Sequence, residues 1–155
     1  MNIRKSHRDD GDRVLDIWRN AVLATHDFLS PTDYAEIANE VREFLNEVRE
    51  FLPDAPLLLA VDENDRPLGF MLLNDAHMEA LFIDPAHHGK GIGRGLVEYA
   101  LGLSPFLTTD VNEQNEQASA FYLHLGFIKT GRSELDGQGR PYPLLHLECR
   151  RQRPI

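Results

Sequence analysis

Cysteine is almost missing from this sequence: Cys149 is the one thiol in 155 residues. A single cysteine closes no intrachain disulfide, so stability must come from a packed core. Its setting among Leu144, Leu145 and Leu147 marks a buried, inert thiol rather than a nucleophile. Long apolar runs are missing too. The longest, Leu57 to Val61 and Leu68 to Leu73, fall far short of the ~20 residues that cross a bilayer, so no membrane span is expected. The polar opening from Met1 to Asp10 has no apolar segment behind its basic residues, so no secretory signal is expected and the location reads as cytoplasmic. Positive charge is scarce: 16 Lys and Arg against 25 Asp and Glu leave a net charge of −9. That balance speaks against nucleic-acid binding, which needs clustered cations to displace phosphate counterions. Seven histidines are present, but His87 and His88 are adjacent and no C-x-x-C or H-E-x-x-H spacing occurs, so no metal site is expected.

What is present is the pattern of one mixed α/β domain spanning residues 1–155. Met1 to Lys5 reads as an opening strand, followed by a helix with Val14, Ile17, Trp18, Ala21 and Val22 on one face and an end near Ala24. Ser30-Pro31 is a capping residue with proline at the first helical position. Tyr34, Ile37, Val41, Phe44, Val48 and Phe51 then follow at steps of three and four. Within that second helix, Asn39 to Leu45 is duplicated residue for residue as Asn46 to Leu52. Seven residues are two helical turns, so the duplication adds about 10 Å of helix and keeps the apolar stripe near register. The longer helix offers a wall, or a surface for a homodimer. Leu57 to Val61 and Pro67 to Leu73 form a predicted hairpin, with Met78 to Ile83 as a third strand. Gly91 to Leu103 then reads as helix, Leu107 to Val111 as strand and Gln114 to Leu125 as helix, with Lys129 to Ser133 and Leu144 to Cys149 as closing strands. The fold class is α/β: a mixed, mostly antiparallel central sheet flanked by helices.

The chemistry concentrates between Leu81 and Gly95. Four glycines, Gly89, Gly91, Gly93 and Gly95, alternate through a strand-to-helix turn with Lys90 and Arg94 among them. Backbone amides free of side-chain shielding can converge there on an anion at a helix N-terminus. The Walker spacing is absent. The dinucleotide spacing fails as well, because Arg94 or Leu96 stands where its third glycine belongs, counted from Gly89 or Gly91.

The segment His88-Gly89-Lys90-Gly91-Ile92-Gly93, after a strand ending in Ile83-Asp84-Pro85, resembles the coenzyme A signature of the GNAT superfamily of acetyl-CoA-dependent N-acetyltransferases. A second block of that family follows in order as Asn115, Ala118, Phe121-Tyr122 and Gly126-Phe127. The likeness covers most of the chain. It is nearest to a small, poorly characterised bacterial branch carrying the runs seen here at Val111 to Ala118 and Pro141 to Leu145. His88 departs from the family pattern, which has Gln or Arg; that position acts largely through its backbone amide, so cofactor binding is expected to survive.

The resemblance implies an acetyl transfer from acetyl-CoA to a primary amine by direct attack. Leu81, Phe82, Ile83, His88, Gly89, Lys90, Gly91, Ile92, Gly93, Arg94, Asn115 and Tyr122 would hold the cofactor. The strand Met78 to Ile83 would splay from Leu107 to Val111 to admit the pantetheine arm. An amide near Leu81 or Phe82 would stabilise the oxyanion. Tyr122 occupies the position of the acid that protonates the departing thiolate. Three residues compete as base: Glu79 and His77, which strand alternation places on one face, and Asp110. Thr25, His26, Asp27 and Tyr142 are candidate acceptor contacts, and the acceptor itself is open. Two rivals remain: a coenzyme A sensor or partner-binding module without turnover, and a nucleotide-binding protein using the same glycine turn.

Overall fold

The structure is a computed structural model, and it describes residues 2–25, 30–51, 57–136 and 139–150. In chain order the elements are β1 (Asn2–Lys5), α1 (Gly11–Thr25), α2 (Pro31–Phe51), β2 (Leu57–Val61), β3 (Pro67–Asn74), β4 (His77–Ile83), α3 (Ile92–Leu103), β5 (Phe106–Asn112), α4 (Glu116–His124), β6 (Ile128–Ser133) and β7 (Leu144–Arg150). Short 3-10 turns at Arg8–Asp10 and Pro85–His87 were not anticipated. The seven strands form one sheet in the order β1-β2-β3-β4-β5-β7-β6, antiparallel throughout except for the β4–β5 pair.

Each face of the sheet carries its own apolar layer. Leu57, Leu59 and Val61 of β2 pack with Val14, Ile17, Trp18 and Val22 of α1. Leu58 and Ala60 pack on the opposite side with Leu96 and Val97 of α3 and Tyr122 of α4. This explains why β2 is an unbroken apolar run rather than an alternating one: helices cover both of its faces. Cys149 is buried in the α3–α4 layer, and burial pushes its thiol up, as expected of an inert cysteine. Among the described residues no helix is long and apolar enough to cross a membrane.

Element ends moved where caps intervene. Ser30 Oγ accepts the Asp33 amide at 3.1 Å and starts α2 as anticipated. Helix α3 begins at Ile92 rather than Gly91, because Gly91 is its cap at φ +76°. Helix α4 begins at Glu116 rather than Gln114 and ends at His124 rather than Leu125. Asn115 is its cap, accepting the Ala118 amide at 3.1 Å, and Asn112 Oδ1 draws the Gln114 amide into the preceding turn at 3.0 Å.

Candidate active site

β4 and β5 touch over only two register pairs, His77 with Thr108 and Met78 with Thr109. Beyond them the strands part, and Ala80–Ile83 keeps β3 as its partner. A cleft of about 310 Å³ occupies the region, lined by Leu81, Phe82 and Ile83 of β4, by the turn from His87 to Gly91, by the start of α3 and by Asn115 and Tyr122 at α4. Ala21 of α1, from the other face of the sheet, also lines it. Of the twelve residues expected to hold a cofactor, eleven line this cleft; the twelfth, Lys90, places its Nζ 3.5 Å from His87 Nδ1. His87, Gln117, Ala118 and Phe121 line it as well and were not singled out, although Ala118 and Phe121 belong to the second sequence block.

The glycines serve different ends. Gly89 and Gly91 sit at φ +79° and +76°, where a Cβ would be strained whatever the space around it. Gly93 has no such backbone; a Cβ there would stand 3.0 Å from Phe121 Cζ, so this glycine lets α3 approach α4. The first α3 amide bonded within its own turn is that of Gly95, on Gly91 O at 2.9 Å. The amides of Ile92, Gly93 and Arg94 therefore precede it at the open, positive end of the helix. The His88 amide is engaged by the chain itself, donating to Pro85 O at 3.3 Å. Beneath the turn, Asp84 accepts from Arg13 at 2.6 Å and from the Ala86 amide at 3.1 Å. Burial pushes the Asp84 carboxyl up, and these bonds together with the Arg13 charge more than offset it, so it titrates below the usual carboxylate range.

Tyr122 is 6% exposed, set edge-on between Phe121 and Phe127 with ring centroids 5.2 Å from each. Burial pushes its hydroxyl above the ordinary tyrosine value, while a hydrogen bond shared with Thr109 pulls the other way. It stays protonated through neutral pH. Thr109 in turn donates to Met78 O at 2.9 Å, at the last β4–β5 pair before the strands part.

The candidate bases fall differently from the alternation argument. The β3–β4 register passes from Leu73–Met78 to Leu72–Ala80, leaving Glu79 as an extra residue in a β-bulge. Side chains change face across it: Met78 packs in the α3–α4 layer with Leu81 and Ile83, whereas Ala80 and Phe82 pack in the α1–α2 layer. Glu79 is the residue at which the alternation reverses, so period two no longer sets its face relative to His77, as the sequence argument assumed. His77 Nδ1 lies 2.7 Å from Thr108 Oγ1, and its Nε2 lies 3.6 Å from Asp110 Oδ2. Thr108 and Asp110 alternate with Thr109 along β5, so His77 and Asp110 flank the opening on the face opposite to Tyr122.

Among the expected acceptor contacts, Tyr142 is buried and donates to Asp33 of α2, bracing the segment before β7 against that helix. Arg140 reinforces the brace, reaching Glu36 at 3.2 Å and Glu40 at 3.1 Å. His26 and Asp27 and the side chain of Thr25 lie outside the described residues.

A parting of neighbouring strands beside a glycine-rich helix start is the architecture of an acyl-coenzyme A transferase, and the comparisons agree. Residues 29–142 match the acetyltransferase (GNAT) domain, and the chain belongs to that family. It moves an acetyl group from acetyl-CoA to a primary amine. A protein of Salmonella typhimurium named peptidyl-lysine N-acetyltransferase YjaB is 55% identical over 147 residues, 95% of this chain and 97% of that protein. The solution structure of apo-form YjaB from Escherichia coli is 54% identical, with a TM-score of 0.85 over 95% of each chain. The PaiA N-acetyltransferase of Thermoplasma acidophilum, solved with coenzyme A, shares the fold at a TM-score of 0.71 and 19% identity, over 97% of this chain and 98% of that one.

Proposed function

We propose that the acceptor is the side-chain amine of lysine in a peptide or protein. The amine attacks the acetyl thioester at the parting of β4 and β5, and Tyr122 protonates the coenzyme A thiolate. The observation that carries the reading is the placement of unlike groups on opposite faces of one opening: a neutral hydroxyl at Tyr122, and an imidazole beside a carboxylate at His77 and Asp110. The departing thiol has a pKa near ~8.5, so a phenol still protonated at neutral pH can donate to its thiolate. Glu79, exposed in its bulge, is the third candidate base. The eleven cleft residues hold the cofactor, with its phosphates at the open end of α3. The choice of lysine rests on the relatives at 55% identity that carry that name. Residues 1–155 acting as one domain, a cytoplasmic location and a homodimer belong to the same proposal, tested by limited proteolysis, fractionation and sedimentation.

The test is CoA release from acetyl-CoA with a lysine peptide, its Nε-acetylated twin and a peptide carrying only a free α-amine. The lysine peptide alone should turn over. Tyr122→Phe should lower kcat by about 100-fold or more while acetyl-CoA binds as before. Thermal stabilisation by coenzyme A without release on any of these peptides would overturn the lysine-acceptor reading.

A further inference from the structure

Asp110 faces a second imidazole that no sequence motif marks. His146 of β7 stands directly opposite it in register, with Nδ1 2.5 Å from Asp110 Oδ1, and His146 Nε2 lies 2.7 Å from Ser133 Oγ on β6. Together with Thr108 and His77 this makes a line of five polar side chains across β4, β5, β7 and β6. His77, Asp110 and His146 each keep about a third of their side-chain surface exposed, at 32%, 36% and 36%. The carboxylate only accepts, so Nδ1 of His146 carries a proton, and in the neutral ring Nε2 then accepts from the Ser133 hydroxyl. On the other side of Asp110, the 3.6 Å separation from His77 Nε2 is too long for a hydrogen bond. One carboxylate oxygen is tied down, and the other faces an imidazole nitrogen across a gap.

We propose that His146, locked by Ser133, is a positioning residue for acetyl transfer: it tethers Asp110 so that the gap to His77 stays open as the seat of the acceptor ammonium. The inference rests on the lysine-acetylating reading above. An ammonium has three N–H donors and fits between two acceptors, Asp110 Oδ2 and the lone pair of His77 Nε2, which is present when Nδ1–H donates to Thr108 Oγ1. The ammonium gives one proton to Nε2, and the imidazolium so formed sits beside Asp110. The freed amine forms the C–N bond, the C–S bond breaks, and the thiolate takes the Tyr122 proton. The surplus proton on the amide nitrogen returns to Tyr122 through water, and His77 releases its own to solvent. Without the tether, Asp110 is free to swing onto His77 and close an ion pair that leaves the amine neither acceptor. Among the described residues of the strands, the other charged groups beside His77 are Glu79, two residues on in β4, and Glu148 of β7, opposite Thr108, which Arg150 engages at 3.2 Å.

The experiment compares wild type, His146→Phe, His146→Gln and Ser133→Ala on the lysine peptide, reading kcat and KM for each substrate, the pH dependence of kcat/KM for the peptide, and thermal stability. His146→Phe should lose about tenfold in peptide kcat/KM with KM for acetyl-CoA unchanged. Its acidic limb should move up by about one pH unit, because a closed pair with Asp110 holds the His77 proton more tightly. His146→Gln, which keeps an N–H donor, should recover most of both effects. Should His146→Phe fail to fold, Ser133→Ala loosens the ring without removing it and should move the limb in the same direction by less. A folded His146→Phe with an unmoved limb, or an equal loss at every pH that Gln does not recover, would overturn the proposal. Wild-type protein inactive on the peptide would overturn the functional reading and the proposal together; an active wild type with an unaltered His146→Phe overturns only the proposal.

Discussion

Gly91 offers the cleanest perturbation of the proposed cofactor site, because its requirement is conformational and not steric. Its φ is +76°, and among the described residues nothing stands within 4 Å of where a Cβ would be. Gly91→Ala therefore adds no clash; it adds the cost of an L-residue in the left-handed region, about 1–2 kcal/mol. That cost can fall in two places. If the turn keeps its shape, the unliganded protein is destabilised by the full amount and affinity for coenzyme A is unchanged. If the turn relaxes, stability recovers and the amides at the head of α3 lose their aim, weakening binding by about 5–30-fold for the same free energy. The two penalties together should come to about 1–2 kcal/mol, read as denaturant unfolding plus calorimetric titration with coenzyme A. Gly102→Ala is the control. Gly102 lies in α3 without positive φ and in equally open space, so the same methyl should stabilise the protein by about 0.5–1 kcal/mol and leave binding alone. Gly91→Ala matching wild type in both stability and affinity would refute the argument that backbone conformation shapes the site.

The Asp84 carboxyl, held below its ordinary value, contributes stability that is present above the unfolded-state pKa of about 3.9 and is lost as pH falls through the folded value. Asp84→Asn should cost about 1–3 kcal/mol at neutral pH and flatten the acid limb of the stability curve below pH ~4; an acid limb as steep as wild type would count against the Arg13 pairing as its source. The raised Tyr122 hydroxyl has the opposite sign: its contribution is full below the unfolded value near ~10 and is lost as pH rises beyond it towards the folded one. Tyr122→Phe should accordingly remove part of the alkaline loss of stability, which pH-dependent melting above pH ~10 would show.

How much of this was legible in the sequence depended on how local each signal was. The apolar run at Leu57 to Val61, the three-and-four spacing of Val14, Ile17, Trp18 and Val22, and the alternating glycines before Ile92 are each written within a dozen residues. They determined the strand, the helix and the glycine turn, because a backbone's own geometry sets those periods. The candidate base was not legible in this way. Alternation placed His77 and Glu79 together, and a single extra residue opposite β3 turned every later side chain of β4 to the other face. Nothing around His146 distinguishes it from an ordinary strand residue; it matters only because β7 sets it opposite Asp110 and β6 sets Ser133 beside it. Tyr142 read as an acceptor contact, and only the packing of α2 shows Asp33 at its hydroxyl. Periods belong to the chain and can be read along it, whereas register and bulges arise only when separate strands pair. The sequence by itself determined a transferase with a place for coenzyme A; tertiary structure decided which polar side chains meet at the opening.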